Sequence, residues 1–223
     1  MPRVIFIGIL VAIATFGGCA TTTKDLSFAP PSSGSRCCKS IEPSSRRSAI
    51  VRTASKLIGA KTILVKGKWI SYDCAGVTRA VYLAHGIDLY DSGMMDPKAN
   101  GVRLIHRYVT RHGHFHQGPA VRPGDLIFFD NTWDYNGDGI TNDPLTHVGI
   151  VEWQDQDGTV FFISRVAGSI ERYRMNLGLP HVHRTAEGKI LNDFLRKKDI
   201  GDPLDTRRLT GELFAAFGSP AGL

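Results

Sequence analysis

Residues 71–80 read Ser71-Tyr72-Asp73-Cys74-Ala75-Gly76-Val77-Thr78-Arg79-Ala80. After the cysteine the apolar residues are spaced as on one face of a helix, and Gly86 ends the run. Asp73 is a good N-cap, which places Cys74 in the first turn, where free backbone N–H groups and the helix dipole favour a thiolate. Cys74 is therefore a candidate nucleophile. The alternative is a small buried hydrophobic residue, which is the commoner role of a lone cysteine.

The composition is that of a globular protein with a modest positive charge. Apolar residues make up 42% of the 223 positions, which is enough for one hydrophobic core, and we expect one main domain that is monomeric. The formal net charge is +6, but the chain has no long basic run, so nucleic acid is not an expected partner. This charge fits contact with an anionic cell-wall polymer or membrane surface, and equally an ordinary solvated surface.

The N-terminus has the pattern of an export signal. Arg3 is followed by an uncharged apolar run, residues 4–16, which is too short to span a bilayer as a mature helix. Two glycines precede Cys19 and resemble the lipobox of bacterial lipoproteins. That resemblance implies a signal peptide at residues 1–18 and a lipid on the sulfur of Cys19, which would be sufficient for membrane anchoring. Phe16 replaces the leucine usual in a lipobox, so plain secretion is the alternative.

Residues 19–46 are polar and rich in proline and serine, and we expect a flexible tether there. Ala20 stands where lipoproteins of the inner membrane usually carry aspartate, so the resemblance favours the outer membrane, facing the periplasm. The neighbouring Cys37 and Cys38 cannot easily bridge each other, and they are either incidental or paired between molecules.

The rest of the chain is predicted to form a domain at residues 47–178 and a C-terminal extension at 179–223. A first helix, capped by Ser45, ends before Gly59, and a short irregular stretch at 61–69 leads to the cysteine. Further helices are predicted at 97–110, with Pro97 in the first turn, and weakly near 189–197 and 208–217. The strands are predicted at 125–129, 146–153, 159–165 and 170–175.

An acidic loop lies between the first two predicted strands. Asp134, Asn136 and Asp138 match the opening of a calcium-binding loop, but Leu145 stands at the twelfth position, where a bidentate carboxylate is wanted. Asp143 could substitute from a shifted position. The alternative is a turn rich in Asp, Asn and Gly, with no cofactor.

Three motifs in chain order carry a family resemblance. They are Asp73-Cys74-Ala75-Gly76, then Arg122-Pro123-Gly124-Asp125-Leu126-Ile127-Phe128-Phe129, and then His147-Val148-Gly149-Ile150-Val151. Together, at these spacings, they resemble the bacterial NlpC/P60 family of papain-like cysteine peptidases. The resemblance implies an α+β fold in which the cysteine heads a helix packed on a central antiparallel sheet. It also implies hydrolysis of peptide bonds in peptidoglycan stem peptides, often between D-glutamate and a diamino acid.

The resemblance assigns roles to individual residues. Cys74 would be the nucleophile and His147 the general base, and a thiolate–imidazolium pair at a helix N-terminus would stabilise itself. In the hairpin formed by the second and third strands, Ser164 falls on the same face as His147, and a slip of one residue in the pairing would put Arg165 there instead. Ser164 occupies the position of the family's third polar residue, most often histidine, which orients the base. Tyr72 and Asp73, next to the nucleophile, are expected to contact the substrate.

Two departures from the family pattern keep other functions open. Serine at position 164 offsets charge poorly, and residues 62–67 lack the tyrosine-containing run that usually lines the site. A catalytically weak or inactive lipoprotein that binds the cell wall is therefore the first alternative. A Cys–His amidase or acyltransferase acting on another substrate is the second.

Overall fold

The described part of the chain has an α+β fold. The structure, a computed structural model, describes residues 23–26, 43–91, 99–118, 120–200 and 202–223. Its helices are α1 (Pro43–Lys56), α2 (Cys74–Ala84), α3 (Gly101–His112) and the short α4 (Thr210–Leu213). Its strands are β1 (Thr23–Asp25), β2 (Thr62–Val65), β3 (Lys68–Ile70), β4 (Gly113–His116), β5 (Leu126–Phe129), β6 (His147–Gln154), β7 (Val160–Val166), β8 (Ser169–Met175) and β9 (Phe214–Pro220).

Six strands form a central antiparallel sheet in the order β4-β9-β5-β6-β7-β8. Helix α2 begins at Cys74 and packs on strands β6 and β7. The predicted fold class, with the cysteine at the head of a helix on an antiparallel sheet, is therefore confirmed. Strands β5 to β8 lie where alternating and apolar runs predicted them, within one or two residues at each end.

The two faces of the sheet are covered differently. Helices α1, α2 and α3 pack on one face, where the buried residues include Ile50, Val77, Val81, Ile105 and Val148. On the opposite face, Leu195 and Leu213 from the C-terminal segment pack against buried residues that include Ile127, Phe129 and Phe162. Each fully buried side chain of this kind contributes about 1.5–3 kcal/mol relative to exposure. The C-terminal segment thus supplies a hydrophobic layer of its own.

Strand β9 corrects the predicted helix at 208–217. Only Thr210–Leu213 is helical, and the chain then enters the sheet between β4 and β5. Phe217 is fully buried, and Gly218 lies so close to Phe128 and Val109 that an added Cβ would be 3.1 Å from either side chain. Pairing with strands far away in sequence overrides the local helical pattern here. The helix predicted near 189–197 is also wrong, because isolated bridges join Arg184 to Ile190 and Phe194 to Leu209.

The stretch predicted to be irregular, 61–69, is a hairpin of β2 and β3. Lys66 and Gly67 both have positive φ, 48° and 75°, as a tight two-residue hairpin turn requires. Strand β1 pairs in parallel with β2 and comes from the segment predicted to be a flexible tether, so these three residues differ from that prediction.

Two helix starts differ from prediction. Helix α1 begins at Pro43, so Ser45 lies inside the helix instead of capping it. Helix α3 begins at Gly101, with the Asn100 side chain accepting the N–H of Arg103 at 2.8 Å. Pro97, the predicted first-turn residue, lies outside the described residues, as do Cys19, Cys37 and Cys38. Among the described helices, none has the length and apolar character needed to cross a bilayer.

Candidate active site

The start of helix α2 is built as the sequence predicted. The Asp73 carboxylate accepts the N–H of Gly76 at 2.7 Å, which confirms the N-cap. Position 76 requires glycine, because a Cβ there would lie 2.0 Å from the backbone oxygen of Ser71. The segment before the cysteine therefore crosses directly over the first turn. Cys74 is held at the N-terminus of α2, partly buried, with the positive end of the helix dipole behind it.

Cys74 and His147 line the same cavity. Its volume is about 380 Å³, and its wall also includes Asp73, Trp133 and Arg165. His147, the first residue of β6, is 7% exposed. A backbone N–H from the next residue, Val148, acts on the Cys74 thiol and favours its charged form. The fold thus brings the predicted nucleophile and the predicted base to one cleft, although 73 positions separate them in sequence.

The hydrogen bonds of Ser164 determine which nitrogen of His147 is basic. Ser164 Oγ lies 2.8 Å from His147 Nε2 and 2.7 Å from the carbonyl oxygen of Val148. A carbonyl only accepts, so the serine O–H is donated to Val148, and the serine oxygen accepts N–H from Nε2. Nε2 therefore carries the proton, and Nδ1 keeps the free lone pair. Ser164 lies on the same face as His147, as predicted, and it orients the imidazole with a neutral hydrogen bond.

The charge states differ from the expected ion pair. Burial raises the pKa of the Cys74 thiol to about 11, although the N–H groups of Val148, Ala75 and Cys74 act in the opposite direction. Burial, with a smaller contribution from the positive charge of Arg165, lowers the pKa of His147 to about 3. Both shifts favour the neutral thiol and the neutral imidazole near pH 7. They oppose the expected thiolate–imidazolium pair, which stays a prediction, because desolvation of both groups acts against the helix dipole and the local N–H donors.

These pKa values predict how Cys74 reacts with iodoacetamide. We expect the alkylation rate to rise about tenfold per pH unit from pH ~6 to ~9, since only the thiolate reacts and its fraction grows with pH below the pKa. The rate is measured by mass spectrometry on the tryptic peptide 69–79, which separates Cys74 from the other cysteines. A rate that is constant across neutral pH would instead indicate an ion pair and contradict this prediction.

The two residues expected to contact substrate are placed differently. Asp73 lines the cavity. Tyr72 donates its hydroxyl to the carbonyl of Ala60, and its ring lies under the guanidinium of Arg165, 5.2 Å from ring centroid to guanidinium carbon. Tyr72 therefore supports a residue of the cavity wall. Direct contact of Tyr72 with a substrate stays a prediction.

Three residues of the cavity wall were not identified from the sequence. Arg165 follows Ser164, and only the register of the β6–β7 hairpin distinguishes their positions. Trp133, which is half-exposed, follows the strand β5 and had no distinguishing pattern. Leu195 comes from the C-terminal segment, and no local signal in the sequence connects it with the cysteine.

The acidic loop uses its carboxylates internally. Asp134 accepts the N–H groups of Gly137 and Gly139, and Asp138 accepts those of Ile140 and of the Asn136 amide. Within the described ranges, no group of three or more His, Cys, Asp or Glu side chains is arranged to hold a metal ion. Calcium binding by the loop stays a prediction.

Comparisons with known proteins show a distant structural similarity. No protein-family model matches the chain, and no curated protein sequence matches it. The chain is similar to the crystal structure of an NlpC/P60 family protein from Bacillus cereus ATCC 10987, with a TM-score of 0.40 and 19% sequence identity. The matched region covers 78% of this chain, and the chain spans 40% of the length of that protein.

Proposed function

We propose that this protein is a cysteine peptidase of the NlpC/P60 type that hydrolyses stem peptides of peptidoglycan. The observation that supports the proposal is that Cys74 and His147 line the same cavity, with Ser164 hydrogen-bonded to a ring nitrogen of His147. A nucleophile, a base and a group that orients the base form the minimal set for covalent hydrolysis of an amide. The order of the three sequence motifs points to the same enzyme class.

The mechanism proceeds through an acyl-enzyme. Nδ1 of His147 accepts the thiol proton as the sulfur of Cys74 forms a bond to the substrate carbonyl carbon. The oxyanion is stabilised by the N–H groups of Cys74 and Ala75 at the start of α2, which have no carbonyl partner within the helix. His147 then donates its proton to the leaving amine as the C–N bond breaks. Water, deprotonated by Nδ1, attacks the thioester, and the proton returns to the sulfur.

The test of this function is turnover of purified stem peptides by the full-length protein. Each cleavage releases a new amine, which is quantified with an amine-reactive fluorophore, and the product masses identify the bond that is cut. Cleavage that depends on the Cys74 thiol supports the proposal. The absence of any product from peptides of varied length and amidation would contradict it.

A second candidate is a cell-wall-binding protein whose Cys–His site is dormant. The raised pKa of the Cys74 thiol and the lowered pKa of His147 favour this function, since little thiolate is present near pH 7 and a weak base takes up the thiol proton poorly. It predicts co-sedimentation of the protein with insoluble peptidoglycan and no peptide products. Turnover of stem peptides distinguishes the first candidate from the second.

The N-terminal region is proposed to anchor the protein to the cell envelope. In this proposal residues 1–18 are a signal peptide, Cys19 carries the lipid, and most of 19–46 is a tether below the outer membrane. Metabolic labelling with an alkyne fatty acid should label the wild-type chain, and Cys19→Ser should abolish the label and release the protein to the soluble fraction. Cys37→Ser is the matched control and should keep the label. Labelling that persists in Cys19→Ser would contradict lipidation at that residue.

A further inference from the structure

Arg165 places a positive charge in the cavity without a carboxylate partner. Its Nε is buried and has no hydrogen-bond partner among the residues described by the structure. Other arginines of the fold are paired, since Arg47 contacts Asp125, Arg79 contacts Asp88, and Arg172 contacts Glu152. Within the described ranges no carboxylate lies at ion-pair distance from Arg165. This is an unusual state for a partly buried guanidinium, because burial of an unpaired charge is unfavourable.

The guanidinium of Arg165 is held in place. It lies over the ring of Tyr72, and the hydroxyl of Tyr72 is fixed by its hydrogen bond to the carbonyl of Ala60. Stacking on an aromatic ring leaves the edge of a guanidinium free, and that edge matches a carboxylate with two parallel N–H donors. Arg165 is therefore preorganised for an anionic group that enters the cavity.

We propose that Arg165 is the residue of this site that binds a carboxylate of the substrate beside the bond attacked by Cys74. The inference rests on the proposed function of Cys74 and names the residue that determines specificity. Asp73, the other charged residue of the cavity wall, is occupied by the N–H of Gly76 and would repel a carboxylate near the cysteine. Because Asp73 repels a carboxylate on its side of the cavity, Arg165 is the group that determines where the carboxylate binds.

A bound carboxylate would also affect the base. The charge of Arg165 disfavours the imidazolium form of His147, the form that must arise when the thiol is deprotonated. A substrate carboxylate paired with Arg165 offsets this charge and makes proton transfer from Cys74 to His147 easier. Acidic substrates would thus gain both in binding and in activation of the nucleophile, and the thiol would stay protonated without them.

The test compares two alkylating reagents that differ by one charge. Iodoacetate carries a carboxylate and iodoacetamide is neutral, and both form the same thioether bond with release of iodide. The rate of Cys74 with iodoacetate is divided by its rate with iodoacetamide, both measured on peptide 69–79 of the full-length protein. This ratio is then normalised by the same ratio for free cysteine. We expect a normalised ratio of about five to ten for the wild type, since an arginine near the thiol attracts the anionic reagent. A wild-type ratio of one or less would overturn the inference without any variant.

Variants identify the residue responsible. Arg165→Gln should lower the ratio to about one, whereas Arg165→Lys, which keeps the charge, should retain most of the preference. Arg103→Gln is the matched control, because Arg103 on α3 lies over Tyr135 at 5.1 Å, a similar stacking distance, and it should leave the ratio unchanged. An Arg165→Gln ratio equal to that of the wild type would overturn the inference.

Paired peptides separate this inference from the proposed function. The two peptides differ only in a carboxylate or a carboxamide on the residue before the cleaved bond. We expect about a tenfold higher kcat/KM for the acid, and loss of this difference in Arg165→Gln. Equal cleavage of both peptides by the wild type would contradict the role of Arg165 and leave the peptidase function intact. No cleavage, combined with a preference for iodoacetate, would contradict the function and leave the anion site intact.

Discussion

Replacement of Cys74 by alanine is expected to reduce the hydrolysis of stem peptides by about three orders of magnitude or more, because removal of a nucleophile removes the covalent pathway. The fold should persist. Cys74 is only partly buried, and the cap by Asp73 and the close approach of Ser71 to Gly76 do not involve its sulfur. We expect a change in stability of about 1 kcal/mol or less, as for the loss of one small group at a partly exposed site.

The measurement combines turnover with circular dichroism and a thermal melt of the same sample. A double variant, Cys37→Ala with Cys38→Ala, serves as the control for loss of other thiols and should keep wild-type turnover. Full activity in Cys74→Ala would eliminate the acyl-enzyme mechanism. Equal loss of activity in the double variant would show that thiol loss in general, and not loss of Cys74, inactivates the protein.

Removal of residues 214–223 is expected to abolish folding. Strand β9 lies between β4 and β5, so its loss separates β4 from the sheet and leaves two strand edges unpaired. The buried Phe217 is lost at the same time, which alone would cost about 3–5 kcal/mol on truncation to alanine. Together with the lost pairing along two strand edges, this cost is comparable with the stability of about 5–15 kcal/mol that a typical domain has.

The experiment compares this deletion with a shorter one that removes only residues 221–223. The shorter chain keeps all of β9 and loses minor contacts, such as the hydrogen bond from Arg46 to the carbonyl of Gly222. We expect cooperative thermal unfolding for the shorter deletion and no cooperative transition for the longer one. A cooperative melt near the wild-type temperature for the longer deletion would show that β9 is dispensable.

The parts of the fold that the sequence predicted are those with local signals. Helix α2 has a cap, a periodic apolar face and a glycine stop within sixteen residues of Ser71, and strands β5 to β8 alternate or are continuously apolar between turn residues. The pairing of β6 with β7 placed Ser164 near His147 because the side-chain period of a strand is two. The candidate nucleophile and the group beside its base could therefore be named in advance.

The parts that could not be predicted depend on distant contacts. Phe214–Pro220 is short, contains two alanines, and becomes a strand only because the edges of β4 and β5 lie on either side. Leu195 reaches the cavity through the tertiary arrangement of an irregular segment. The pKa values of Cys74 and His147 are dominated by burial, and burial is a property of the folded molecule that helix-dipole reasoning from sequence does not include.

The position of β9 also has a consequence for the order of events during biosynthesis. A ribosome releases β4 and β5 before residues 214–220, so the place of β9 between them is empty while residues 130–213 are synthesised. During that interval the two facing edges can join other nascent chains, and a holding chaperone that binds extended segments would protect them. Arrest of translation before residue 214 should therefore yield a polypeptide that is sensitive to protease and prone to aggregation.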